Sequence, residues 1–101
     1  MKGQAIYKVP GGKLLKISAD FEEDIIANVK VTGDFFAHPE DSIQLIEETL
    51  IGAVVGPELE QLLEELIREN EIELYGIDVE SIVTAIYLAR ECGETRWSSG
   101  S

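Results

Sequence analysis

The spacing of apolar residues changes once along this chain, from every second residue to every third or fourth. Before residue 33 the alternation is regular. Ala5, Tyr7 and Val9 alternate with Gln4, Ile6 and Lys8, and Leu15, Ile17, Ala19 and Phe21 with Leu14, Lys16, Ser18 and Asp20. Ile25, Ala27, Val29 and Val31 then alternate with Ile26, Asn28, Lys30 and Thr32. A period of two with one apolar and one largely polar face predicts strands of a sheet covered on one side. Pro10-Gly11-Gly12 is a turn signal, because proline presets φ and glycine accepts positive φ. Glu22-Glu23-Asp24 is a second short connection, so the three strands are expected to form an antiparallel meander.

After Gly33-Asp34-Phe35-Phe36-Ala37-His38-Pro39-Glu40 the period becomes helical. Pro39 suits the first turn of a helix, and Glu40 and Asp41 complement its positive end. Ile43, Ile46 and Leu50 recur at helical spacing up to a stop at Gly52. A second helix is expected from Gly56-Pro57-Glu58, with Leu59, Leu62, Leu63, Leu66 and Ile67 on one face. Glu58, Glu60, Glu64, Glu65 and Glu69 occupy its other face and read as solvated exterior. Ile72, Leu74 and Tyr75 fit a loop or a brief strand. Asp78 suits the N-cap of a third helix, striped by Val79, Ile82, Ala85, Ile86 and Ala89 and ended by Gly93. Strands followed by about three helices predict an α+β domain, the helices packed on one face of a three-stranded antiparallel sheet. Residues 1–93 are expected to form this single domain. Residues 94–101, which include Trp97 and end in Ser98-Ser99-Gly100-Ser101, read as a flexible terminus or an expression remnant.

Composition narrows the function. A length of 101 residues supports one modest core and is short for an enzyme with separate cofactor and substrate domains. No apolar run approaches the ~20 residues of a spanning helix, and Met1-Lys2-Gly3-Gln4 does not read as a secretory signal. A single cysteine, Cys92, excludes an intrachain disulfide and fits a reducing, cytoplasmic setting. The net charge of -12 argues against nucleic acid or an anionic membrane as the main partner. That charge is uneven. Residues 1–19 hold Lys2, Lys8, Lys13 and Lys16 and no acid, whereas every one of the 20 acidic residues lies beyond them. The lysines suit an edge hairpin protected from aggregation, or a local positive patch for a phosphate or an acidic surface.

No catalytic constellation appears. Cys92 near a helix C-terminus lacks the positive surroundings that lower a thiol pKa. His38 has no second His or Cys to make a transition-metal site with Glu40 and Asp41, and is read as a helix N-terminal residue. Gly11-Gly12-Lys13 lacks the spacing, the Lys-Ser/Thr pair and the following helix of a phosphate loop. Two adjacent aromatics cannot both face one side of a pleat, so one of Phe35 and Phe36 is expected outside the main core. The pair reads structurally as a hydrophobic staple at the entry to the first helix, or functionally as an aromatic contact on a partner. Asp34 stands beside them. The residues by themselves indicate a binding module, or a subunit completing another protein's site.

Tyr7-Lys8-Val9-Pro10-Gly11-Gly12-Lys13-Leu14 followed by Val31-Thr32-Gly33-Asp34-Phe35-Phe36-Ala37-His38-Pro39-Glu40 resembles the C-terminal accessory domain of lipoate–protein ligases. Ile46-Glu47-Glu48-Thr49-Leu50-Ile51-Gly52 and Asp78-Val79-Glu80 follow the same pattern, and the resemblance covers residues 4–91. With Met1 directly before it, the chain is similar to the free-standing small subunit of two-part archaeal ligases. The resemblance implies a heterodimer with a catalytic subunit that holds ATP, Mg and lipoate, this chain carrying no cofactor. The pair is expected to make lipoyl-adenylate and then transfer lipoate to a lysine of a lipoyl domain or H protein. It also implies a fold similar to that of iron–sulfur scaffold and sulfur-acceptor proteins, though Cys92 does not match their active-loop cysteines. Lys8, Pro10, Gly11, Gly12, Lys13, Asp34, Phe35 and Phe36 are the candidates to face the partner's active site. The alternatives are a sulfur-transfer or iron–sulfur scaffold protein on that fold, and a generic acidic interaction module.

Overall fold

The alternating first third of the chain closes into one antiparallel sheet of order β1-β2-β3, formed by β1 (Lys2–Lys8), β2 (Leu14–Glu22) and β3 (Ile25–Gly33). The structure is a computed structural model and describes residues 1–92. The alternation decides which face is covered. Ala5, Leu15, Ile17, Ala19 and Phe21 are buried, while Gln4, Ile6, Leu14 and Lys16 are exposed.

Strand β3 departs from the expected phase. Asp20 pairs with Asn28 but Phe21 pairs with Ile26, so Ala27 is an extra residue in a β-bulge. The bulge exchanges the faces of the residues before it. Ile26 is wholly buried and Ile25 is 45% exposed, the reverse of the strict alternation. Ile25 instead bridges to Val54 in the loop after the first helix.

Three helices follow, α1 (Ser42–Leu50), α2 (Leu59–Asn70) and α3 (Val79–Cys92). Helix α3 lies against β1 and β2, α1 lies against β3, and α2 packs on α3 and α1. The α+β class and the covered single face are therefore as the apolar pattern predicts. The core joins Leu15, Ile17, Phe21 and Ile26 to Ile46, Leu50, Leu59, Leu63, Ile82 and Ile86. Asp78 caps α3 as expected, its Oδ1 accepting the Ser81 N–H at 2.8 Å. At the far end of α3 the Arg90 guanidinium donates to the Glu23 carbonyl at 3.1 Å and pairs with the Asp24 carboxylate. The expected stop at Gly93 and the tail from Glu94, Trp97 included, lie outside the described residues.

The expected start of α1 is corrected. Pro39 precedes the helix, which begins at Ser42 behind Asp41. Residues Phe36–His38 form a short strand, β4, paired antiparallel with β5 (Glu73–Tyr75). His38 sits opposite Glu73 in this ribbon and is not a helix N-terminal residue. Ladder pairing across the chain won over the local helix signal of Pro39, and it resolves the ambiguous segment at Leu74 and Tyr75 as strand.

The two edges of the main sheet differ. The β3 edge is covered: Ile26 exchanges backbone hydrogen bonds with Gly52 and Ala53, and Val55 donates to the Asp24 carbonyl at 2.7 Å. Further along, the Val31 N–H donates to Glu47 Oε2 of α1 at 2.7 Å. Among the described residues the β1 edge has no neighbouring strand.

Candidate functional site

The β1–β2 turn is built from its own backbone. The Gly12 N–H donates to the Val9 carbonyl at 2.8 Å, and the Val9 N–H donates to the Lys13 carbonyl at 3.1 Å. Lys8 Nζ donates to the Gly12 carbonyl at 3.0 Å, so one candidate cation is spent on bracing the turn. Pro10 and Gly11 form the exposed tip.

The turn rests on the end of β5. The Lys13 N–H donates to the Gly76 carbonyl at 2.9 Å. Gly12 is tight because a Cβ there would lie 2.5 Å from that carbonyl oxygen. Gly76 has φ +93°, and a Cβ on it would lie 2.5 Å from Cγ of Lys13. Lys13 therefore lies across Gly76, with its ammonium in neither of the ion pairs found among the described residues.

Residues 34–36 arrive at the same end from β3. The Asp34 N–H donates to the Leu14 carbonyl at 3.2 Å, and its side chain is exposed. Phe35 is half-buried against the core, close to Gly33 and Gly76. Phe36 is 64% exposed and stacks on Tyr75, ring centroids 4.9 Å apart at 26°. One aromatic thus does lie outside the core. Phe35 joins the sheet end to β5, where a staple onto α1 had been the structural expectation. The Tyr75 hydroxyl donates to Glu73 Oε1. That hydrogen bond, then the Glu73 charge, then slight desolvation raise the Tyr75 pKa above the usual phenol value.

All eight residues singled out by sequence thus stand at one end of the molecule. The structure adds Tyr75 and Gly76. A glycine behind an apolar-aromatic pair, Leu74-Tyr75-Gly76, was the available signal, but three residues are too few to show a period. The ensemble presents an exposed ammonium, an exposed carboxylate and a stacked aromatic pair around a hydrogen-bonded turn. Among the described residues no nucleophile–base pair stands here, and no three His, Cys, Asp or Glu side chains gather as a metal-binding group. No helix of the described residues is long and apolar enough to cross a membrane.

Comparison with known proteins gives the same architecture. The chain is 26% identical over 73 residues to lipoate-protein ligase A subunit 2 of Thermoplasma acidophilum, spanning 72% of this chain and 76% of that protein. A chain in the solved structure of an archaeal lipoylation system, a bi-partite lipoate protein ligase and its E2 lipoyl domain from the same organism, superposes with a TM-score of 0.75. The superposition covers 85% of this chain and 94% of that one at 23% identity, which establishes a shared fold. The model of the bacterial lipoate protein ligase C-terminus matches residues 5–86, from the first strand to the buried Ile86 of α3, so the chain belongs to that family.

Proposed function

We propose that this protein is the accessory subunit of a two-part lipoate–protein ligase, acting with a catalytic subunit in the cytoplasm. The family match over residues 5–86 carries this reading. The gathering of the turn, Asp34 and the aromatic pair at one end supports it, because an accessory subunit needs a preorganised contact face more than a pocket. The heterodimer carries out ATP-dependent activation of lipoate to lipoyl-adenylate, before transfer to a lysine of a lipoyl domain or H protein. ATP, Mg and lipoate belong to the catalytic subunit.

This chain's share is positioning and charge. Adenylation draws together two anionic groups, and its barrier falls when fixed cations and donors stabilise phosphate charge. Lys13 takes that role: what supports it is an ammonium in neither ion pair among the described residues, on a backbone held to Gly76. Lys8 acts through the turn, holding the Gly12 carbonyl. The Phe36–Tyr75 stack, whose Tyr75 precedes the Gly76 on which Lys13 lies, supplies apolar contact.

The test is lipoyl-adenylate formation by the reconstituted pair, with complex affinity measured beside it. Lys13→Ala is expected to slow activation about tenfold or more with little change in affinity. Lys8→Ala is expected to do so less. Failure of the two proteins to co-purify, or full activity of the catalytic subunit alone, sinks the proposal. The sulfur-transfer alternative needs a reactive cysteine in a loop, whereas the single cysteine is the last residue of α3.

A further inference from the structure

We propose that the uncovered face of the main sheet is the surface on which the catalytic subunit seats, through an acidic patch of that subunit surrounding a small apolar spot. The proposal rests on the accessory-subunit reading and adds the location and chemistry of the interface.

Lys2, Gln4, Ile6 and Lys8 of β1, Leu14, Lys16, Ser18 and Asp20 of β2, and Lys30 of β3 point away from the helices. The register sets Ile6 beside Lys16, and Lys16 beside Thr32. It also sets Leu14 beside Lys8, and Ser18 between Gln4 and Lys30. Four of the five lysines of a chain with net charge -12 therefore share one face. Two acids share the face at the far end of β2, Glu22 and Asp20, and Asp20 is engaged by the Met1 amine at 3.4 Å.

Among the described residues the ion pairs are Met1–Asp20 and Arg90–Asp24, and no lysine takes part in either. Apart from Asp20 and Glu22 at one end of β2, the described acids lie off this face, so Lys16 and Lys30 have no carboxylate partner among the described residues. Within this face Ile6 is 53% exposed and Leu14 41% exposed. Exposed apolar residues flanked by charges of one sign suit a protein–protein interface, and the sign of the lysines beside Ile6 and Leu14 selects an acidic partner. The face is also continuous with the Lys8–Lys13 turn, so a protein seated on it meets the contact end described above.

The experiment measures the Kd of the full chain with the separately produced catalytic subunit of the same ligase, by calorimetry at low and moderate salt. The variants are Lys16→Glu/Lys30→Glu, Ile6→Gln, and Glu64→Lys on the solvent face of α2, with circular dichroism verifying each fold. The double charge reversal is expected to weaken binding about tenfold or more, and added salt to weaken the wild-type pair. Ile6→Gln is expected to weaken binding at every salt concentration, and Glu64→Lys to leave it unchanged. If the wild-type pair binds and the sheet variants bind equally well, the surface assignment is wrong while the accessory-subunit reading stands. If the wild-type pair does not bind, that reading fails and the assignment fails with it. A sheet face that proves to self-associate, or to bind single-stranded DNA, without affecting the pair also overturns the proposal.

Discussion

The backbone N–H of Lys13 donates to the carbonyl of Gly76 at 2.9 Å, joining a hairpin from the start of the chain to a strand near its end. This bond makes the position of the β1–β2 turn a property of the whole fold.

Replacing Gly76 by alanine tests that coupling. The residue has φ +93°, and an added Cβ falls 2.5 Å from Cγ of Lys13. Gly52 is the control, with φ +89° and nothing within 4 Å of an added Cβ. Gly52→Ala is expected to cost only the left-handed backbone penalty of about 1–2 kcal/mol. Gly76→Ala carries that penalty and the steric one, so it is expected to cost about 1 kcal/mol more. Equal losses in urea unfolding indicate that the turn does not press on β5.

The bulge at Ala27 makes a second prediction. Ile26→Ala is expected to destabilise by about 2–5 kcal/mol, since Ile26 is wholly buried in the core. Ile25→Ala, at a 45% exposed site, is expected to cost under about 1 kcal/mol. The opposite ranking in thermal melts restores the unbulged strand.

The helix ends differ in quality. Asp78→Ala removes the cap on the Ser81 N–H and is expected to cost about 1 kcal/mol. Glu71, after α2, holds φ +53° as a non-glycine residue. Glu71→Gly is expected to stabilise by about 1 kcal/mol by relieving that conformation. A lower melting temperature for Glu71→Gly contradicts it.

Tyr75 offers a pH readout. Its pKa is raised by the hydrogen bond to Glu73 and by the Glu73 charge, so folding favours the neutral phenol. The associated stabilisation is present in full below about pH 10, the unfolded value, and fades as pH rises through the higher folded value. Phenolate absorbance of wild type minus Tyr75→Phe isolates this group. Glu73→Gln is expected to bring its midpoint down toward 10; an unmoved midpoint rules out Glu73 as the cause.

Much of this fold is written in local periods. The Leu15–Phe21 alternation and the Leu59–Leu63 spacing each identify a covered face, because burial at period 2 or 3.6 leaves its mark on neighbouring residues. What stayed hidden depends on distant partners. The Ala27 bulge is a matter of register against Asp20 and Phe21. Strand β4 exists only because Glu73–Tyr75 pairs with it, and Pro39 read locally points to a helix. The contact end was legible in part: the turn and the Asp34-Phe35-Phe36 run carry it, but Tyr75 and Gly76 enter through packing. The use of Lys8 on Gly12 has no counterpart in sequence, since spacing cannot tell a free ammonium from a committed one.

The unequal edges of the sheet bear on assembly. A sheet open on both sides can add copies without end, the geometry of a fibre. Here the loop at Gly52–Val55 and the carboxylate of Glu47 occupy the β3 side, leaving β1 as the side with no strand beside it among the described residues. Strand-to-strand association through this sheet therefore terminates at two molecules, so the protein can lend an edge to a partner without the means to polymerise through it.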